Sequence, residues 1–160
     1  MGAGKTAVAH QLVRSPEGPT AYIEGDLYWR FIVKPRRDGD AARAFRTVMR
    51  AMIASARHFK RDGYDVVLDF SIPPWYLDAT RALLTGEPFD YVVICPSEAV
   101  CASRAALRDE GRIDDYAPYR DLYLSFDPED RHAIADDESD PETIARLVRS
   151  SLSSGCFRVE

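Results

Sequence analysis

Apolar residues recur along the chain in two alternating rhythms. Ala7–Val13 carries them at positions 8, 9, 12 and 13, one face of a helix that ends before Ser15-Pro16-Glu17-Gly18-Pro19. Thr20–Glu24 reads as a strand closed by Gly25-Asp26, and Leu27–Val33 as a short helix or loop stopped by Pro35. A long helix is predicted from about Asp40 to Arg61, with Ala41, Phe45, Val48, Met52 and Phe59 on one face and Gly63 as its stop. Asp65–Asp69 is the next strand, and Trp75–Leu84 a helix. Phe89–Cys95 reads as a single strand buried on both faces and ended by Pro96. Ser97 caps a helix carrying Val100, Cys101 and Leu107 inward; Ala117–Phe126 is a further helix and His132–Ala135 a short last strand. Asp140-Pro141-Glu142 starts the final helix, which buries Ile144, Leu147, Val148 and Leu152. Alternating strand and helix predict an α/β domain with a parallel sheet covered on both faces.

Candidate chemistry begins at the first residues. Gly4-Lys5-Thr6 fills the last three positions of the pattern G-x-x-x-x-G-K-[ST]. In that pattern backbone N–H groups wrap a nucleotide's phosphates, the lysine reaches the β- and γ-phosphates and the hydroxyl ligates Mg²⁺. The loop opens straight into a helix, whose dipole and free N–H groups favour phosphate. The pattern's leading glycine would lie two residues before Met1, and its strand before that. Met1 is therefore expected to be an internal methionine of a longer protein, and the chain as written to be unstable and to bind nucleotide poorly.

Carboxylates close two strands. Asp26 lies just past a strand end, where α/β sheets bind ligands, so it is a candidate general base; a helix N-cap is the other role open to it. Asp69 ends an apolar run in the form that holds Mg²⁺ opposite the loop hydroxyl. Phe70 follows where many motor ATPases carry a glutamate, which favours transfer to an acceptor over hydrolysis for work. Ser71–Trp75, with Pro73-Pro74, is a rigid loop placed to line an acceptor pocket, although Trp75 and Tyr76 are equally suited to packing.

Two sets of arginines stand out. Arg43, Arg46, Arg50 and Arg57 form a stripe on the long helix, a solvated face unless Arg46 or Arg50 overhangs the cleft. Arg104, Arg108 and Arg112 are spaced by fours and share a helical face, running into Asp109–Asp115 as a short lid. Guanidinium groups there would stabilise a moving phosphoryl group, or else pair with Asp109, Asp114 and Asp115. Arg120 returns toward the same region.

Composition narrows the classes. At 160 residues, with 46% hydrophobic and 29% charged residues, the chain is one globular domain. Its net charge of −5 argues against a general nucleic-acid binder, and no apolar run reaches the ~18 residues of a membrane helix. Cys95, Cys101 and Cys156 are odd in number and lack C-x-x-C spacing, so buried thiols of a reducing, cytoplasmic compartment are expected rather than a disulfide or zinc site. His10, His58 and His132 suggest no chemistry.

With Gly4-Lys5-Thr6, Gly25-Asp26, Leu68-Asp69 and the Arg104/Arg108/Arg112 stretch in order, the chain resembles the small P-loop kinases. It looks closest to the group near chloramphenicol phosphotransferase, gluconate kinase and the zeta-type toxin kinases. Ser97 with Arg104 and Arg108, Asp121-Leu122-Tyr123 and Asp140–Ile144 are similar to later parts of that pattern. The resemblance implies a P-loop NTPase three-layer sandwich over residues 1–160, with sheet order 2-3-1-4-5 lacking its first strand and a lid over about 104–120. It implies ATP with Mg²⁺: Gly2, Ala3, Gly4, Lys5, Thr6, Ala7, Arg104 and Asp137 toward the nucleotide, Thr6 and Asp69 toward the metal. Lys5, Asp26, Arg104, Arg108 and Arg112 would carry catalysis of γ-phosphoryl transfer to a small-molecule hydroxyl. A nucleotide or nucleic-acid 5′-end kinase and an inactive ATP-binding regulator are the alternatives. Acceptor identity, ATP against GTP and oligomeric state are left open.

Overall fold

The computed structural model describes residues 1–14, 18–36, 39–109 and 111–159. The expected stop of the first helix at 15–17 and Glu110 of the expected lid lie outside the described residues. Helix α1 (Lys5–Arg14) leads into strand β1 (Thr20–Glu24) and the short helix α2 (Leu27–Arg30). Then come α3 (Ala41–Arg61), β2 (Asp65–Asp69), a 3₁₀ turn at Pro74–Tyr76 and α4 (Leu77–Leu84). The second half contains β3 (Phe89–Asp90), β4 (Val93–Ile94), α5 (Glu98–Ala106), α6 (Arg120–Leu124), β5 (Ala133–Ile134), α7 (Pro141–Leu152) and β6 (Arg158–Val159).

Hydrogen bonding joins the strands in three pairs. β1 and β2 run parallel with Glu24 beside Asp69, β4 and β5 run parallel, and β3 and β6 are antiparallel. The fold is thus mixed α/β, with two parallel strand pairs and one antiparallel pair among the described residues. Phe89–Cys95 is two strands with different partners, because the Tyr91 N–H turns to the Phe157 carbonyl while Val93 bonds the carbonyl of His132. Only Ile94 and Cys95 of that stretch are buried. The helix expected over 117–126 is a 3₁₀ turn at Ala117–Tyr119 followed by α6.

Two cores flank the strand pairs. One gathers Val8 of α1, Ile94, Ile134, Phe157 and the α7 face Ile144, Ala145 and Val148. The other is the α3 face Val48, Met49, Met52 and Ile53, with Phe45, Leu68 and Phe70 packed against it. Ala41 is exposed and Phe59 is largely exposed, so the buried face of α3 is narrower than its apolar pattern. Asp40 caps α3 by accepting the Arg43 N–H, and Asp140 caps α7 by accepting that of Thr143. α1 packs on both β2 and α7, spanning the two halves. Cys95 and Cys101 are buried free thiols; Cys156 is exposed, since it sits in the turn between α7 and β6.

Candidate active site

The loop before α1 is built on two glycines. Gly2 and Gly4 adopt φ of +75° and +87°, the left-handed region that glycine enters without a Cβ penalty. A Cβ on Gly2 would lie 2.0 Å from the Cys101 carbonyl oxygen, so the loop rests directly on α5. The Gly4 carbonyl accepts the Val8 N–H, the first bond of α1. Lys5 is half-buried, and Thr6 and Ala7 are exposed at the helix start.

Side chains from α5 and from the segment before α6 reach this loop. The Met1 amino group lies below its ordinary value through burial and the like charge of Lys5; Arg108 pushes the same way and Asp26 opposes it. An Nη1 of Arg104 stands 3.8 Å from where a Gly4 Cβ would be, and its other nitrogen donates to the Asp137 carbonyl at 3.4 Å. Tyr116 donates its hydroxyl to the Met1 carbonyl at 2.9 Å, tying the segment before α6 to the loop.

Asp26 is held by its neighbours. The Gly25 N–H bonds the Asp69 carbonyl at 2.9 Å, and a Cβ on Gly25 would meet the Met52 sulfur and the Phe70 ring at 2.5 Å. Asp26 stands at the N-cap position of α2 with αR backbone, and its carboxylate makes no capping hydrogen bond. Asp69 is 8% exposed and accepts the Tyr22 hydroxyl on Oδ2 at 3.2 Å. Tyr22 and its neighbour Glu24 were not among the sequence candidates. The structure puts both on the less buried face of β1, with Glu24 in register with Asp69, a pairing that the strand's own pattern does not announce.

The arginines divide. α5 stops at Ala106, so Arg104, Arg108 and Arg112 do not share one helix; the latter two lie in the following segment. Arg112 bonds Asp114 at 2.6 Å, the carboxylate pairing open to it from the sequence. Arg120 pairs with Glu98 at 3.3 Å, Arg46 with Asp40 at 3.9 Å and Arg57 with Glu87 at 3.2 Å. Asp137 accepts the Ser97 N–H on Oδ1 at 2.6 Å, which holds the N-terminus of α5 and lowers its carboxyl below the ordinary value. Of the Ser71–Trp75 loop, Ser71 and Ile72 line a cavity with Lys5, Cys95 and Tyr116, while Trp75 is exposed and Tyr76 packs edge-on against Phe45.

The donors suit the groups that the motif implies. Thr6 and Asp69 offer hydroxyl and carboxylate oxygens, the hard ligands Mg²⁺ accepts alongside water and phosphate. Among the described residues no cluster of three or more His, Cys, Asp or Glu forms a separate metal site, and no helix is long and apolar enough to cross a membrane.

No curated protein matches the chain. Among solved structures, the tunicamycin resistance protein of Deinococcus radiodurans superposes with a TM-score of 0.67 over 94% of this chain and 90% of that one. At 15% identity this is a likeness of fold. A family model described as AAA domain matches residues 1–120, which include the glycine loop, Asp26, Asp69, Arg104, Arg108 and Arg112. By that match over most of its length, the chain belongs to the AAA domain family.

Proposed function

We propose that this protein is an ATP·Mg²⁺-dependent phosphotransferase moving the γ-phosphoryl group to a hydroxyl of a small molecule. The observation that carries the reading is the meeting of Arg104 with Gly4, a guanidinium from the lid helix laid against a glycine loop that opens into α1. Backbone N–H groups of Gly2 to Ala7 and the Lys5 ammonium hold the phosphates. Thr6 and Asp69 hold Mg²⁺, which when bound offsets charge on the phosphate oxygens. Asp26 accepts the proton of the acceptor hydroxyl, a role compatible with a carboxylate that makes no cap bond. Arg104 and Arg108 stabilise the transferring group; Arg112 joins them only if its pair with Asp114 opens. The absence of a glutamate after Asp69 supports transfer over hydrolysis, and the sheet order 2-3-1-4-5 remains part of this reading.

The test is phosphate transfer from labelled ATP to a panel of hydroxyl-bearing small molecules. Asp26→Asn should lower turnover by about 10²- to 10⁴-fold, the usual range for a general base, at unchanged ATP affinity. Turnover equal to wild type would return Asp26 to a structural role. Loss of ATP binding in Lys5→Ala is expected alongside.

A further inference from the structure

We infer that Tyr22 is the positioning residue of the metal-holding carboxylate, fixing Asp69 from β1 so that one carboxylate oxygen is left for the ion. The inference rests on the phosphotransferase reading, in which Asp69 and Thr6 hold Mg²⁺.

β1 buries Ala21 and Ile23, leaving Thr20, Tyr22 and Glu24 on its opposite face. Glu24 is registered against Asp69 and Tyr22 against Val67, so Tyr22 reaches Asp69 along the diagonal of the pair. Its hydroxyl donates to Oδ2 at 3.2 Å. That bond engages Oδ2 of a carboxylate that is 8% exposed, and Oδ1 is the oxygen it leaves for the ion. The ring is held from the other side: His10 meets it edge-on with centroids 5.0 Å apart. His10 is four residues after Thr6 on α1, hence on the same helical face. Tyr22 therefore stands between the helix face that carries the hydroxyl donor and the strand end that carries the carboxylate.

Electrostatics gives the phenol a reason to be neutral and donating. A phenol is neutral near pH 7 and donates its proton to a carboxylate oxygen. A second carboxylate from Glu24 beside Asp69 repels it when no cation is bound, which an oriented neutral donor counteracts without competing for the ion.

Tyr22→Phe keeps the ring on His10 and removes only the donor. Mn²⁺ affinity, read by electron paramagnetic resonance in the presence of a non-hydrolysable ATP analogue, should weaken by about 10-fold, as for partners of metal ligands generally. Metal-free affinity for the analogue should not change. In an Asp69→Asn background the same substitution should add nothing further. A Mn²⁺ affinity within about twofold of wild type, or full additivity with Asp69→Asn, overturns the proposal. Wild-type protein that binds the analogue but no Mn²⁺, or is indifferent to Asp69→Asn, removes the metal reading and this inference with it. A single 3-fluorotyrosine in place of Tyr22 tests the point in an otherwise unaltered chain. Its ¹⁹F resonance should move when Mg²⁺ joins the bound analogue, and a stationary resonance also overturns it.

Discussion

At the scale of single residues, the two loop glycines separate backbone strain from steric contact. Both have positive φ, which costs an L-residue roughly 1–2 kcal/mol. Gly4 has only the Arg104 guanidinium near its open side, at 3.8 Å, whereas a Cβ on Gly2 would enter the Cys101 carbonyl at 2.0 Å. Gly2→Ala must therefore push α5 off the loop as well as strain it. We expect Gly2→Ala to lower the thermal midpoint and nucleotide affinity more than Gly4→Ala does, measured by calorimetry and by titration with ATP. Equal effects would mean that α5 yields at no cost. The residue types at these positions were legible from the motif alone, and so was the choice at Asp26 between base and cap. That its carboxylate makes no cap bond depends on the side chain's direction, which no spacing encodes. Tyr22 was missed because a tyrosine in a strand is by itself a packing residue; only the pairing of β1 with β2, which brings Asp69 to it along the diagonal, gives it a polar partner.

Elements were readable where their period was long and their ends carried caps. α3 begins at the Asp40 cap and α7 at Asp140-Pro141, as their sequences announce. α5 ends without glycine or proline at Leu107, so the four-residue arginine spacing continues past the helix that it appeared to describe. The two-residue strand β6 has no periodicity to detect, and its pairing with β3 is what divides Phe89–Cys95. The start of α5 also depends on a long-range partner, Asp137, whose carboxylate takes the Ser97 N–H. Backbone hydrogen bonding to Ser97 lowers the Asp137 carboxyl below its ordinary 3.8; Asp136 and Asp140 are lowered in the same way by Ser139 and Thr143. Because the folded values lie below the unfolded ones, this stability is fully present above about pH 5 and is lost as pH falls through the folded values, below about 4. The thermal midpoint should be level from pH 7 to about 5 and then drop. Asp137→Asn retains an acceptor for Ser97 but no titrating charge, so its acid limb should be shallower. A wild-type midpoint unchanged at pH 3 would contradict this assignment.

For the whole molecule, the parallel strand pairs were foreseeable from alternating strand and helix, but their separation matters most. The cores around α7 and around α3 share no residue, and the paired strands β1–β2 and β4–β5 belong to opposite sides of that division. Among the described residues, α1 and Tyr91 cross it. α1 packs on β2 while inserting Val8 into the α7 core, and Tyr91 donates its hydroxyl to the Ile72 carbonyl at 2.6 Å. Both touch the lining of the cavity that Lys5 shares, so the coupling between halves and the integrity of the site depend on the same contacts. Tyr91→Phe leaves the ring beside His132 and strips the Ile72 carbonyl of this part-buried donor, at a cost of about 1–3 kcal/mol. That loss should fall on the link between the cores more than on either core. Native-state hydrogen exchange should then show amides of α3 and of α7 opening with distinct free energies, the gap widening in Tyr91→Phe. If both helices instead lose protection equally, the chain unfolds as one cooperative unit, and the two cores are coupled by more than α1 and Tyr91.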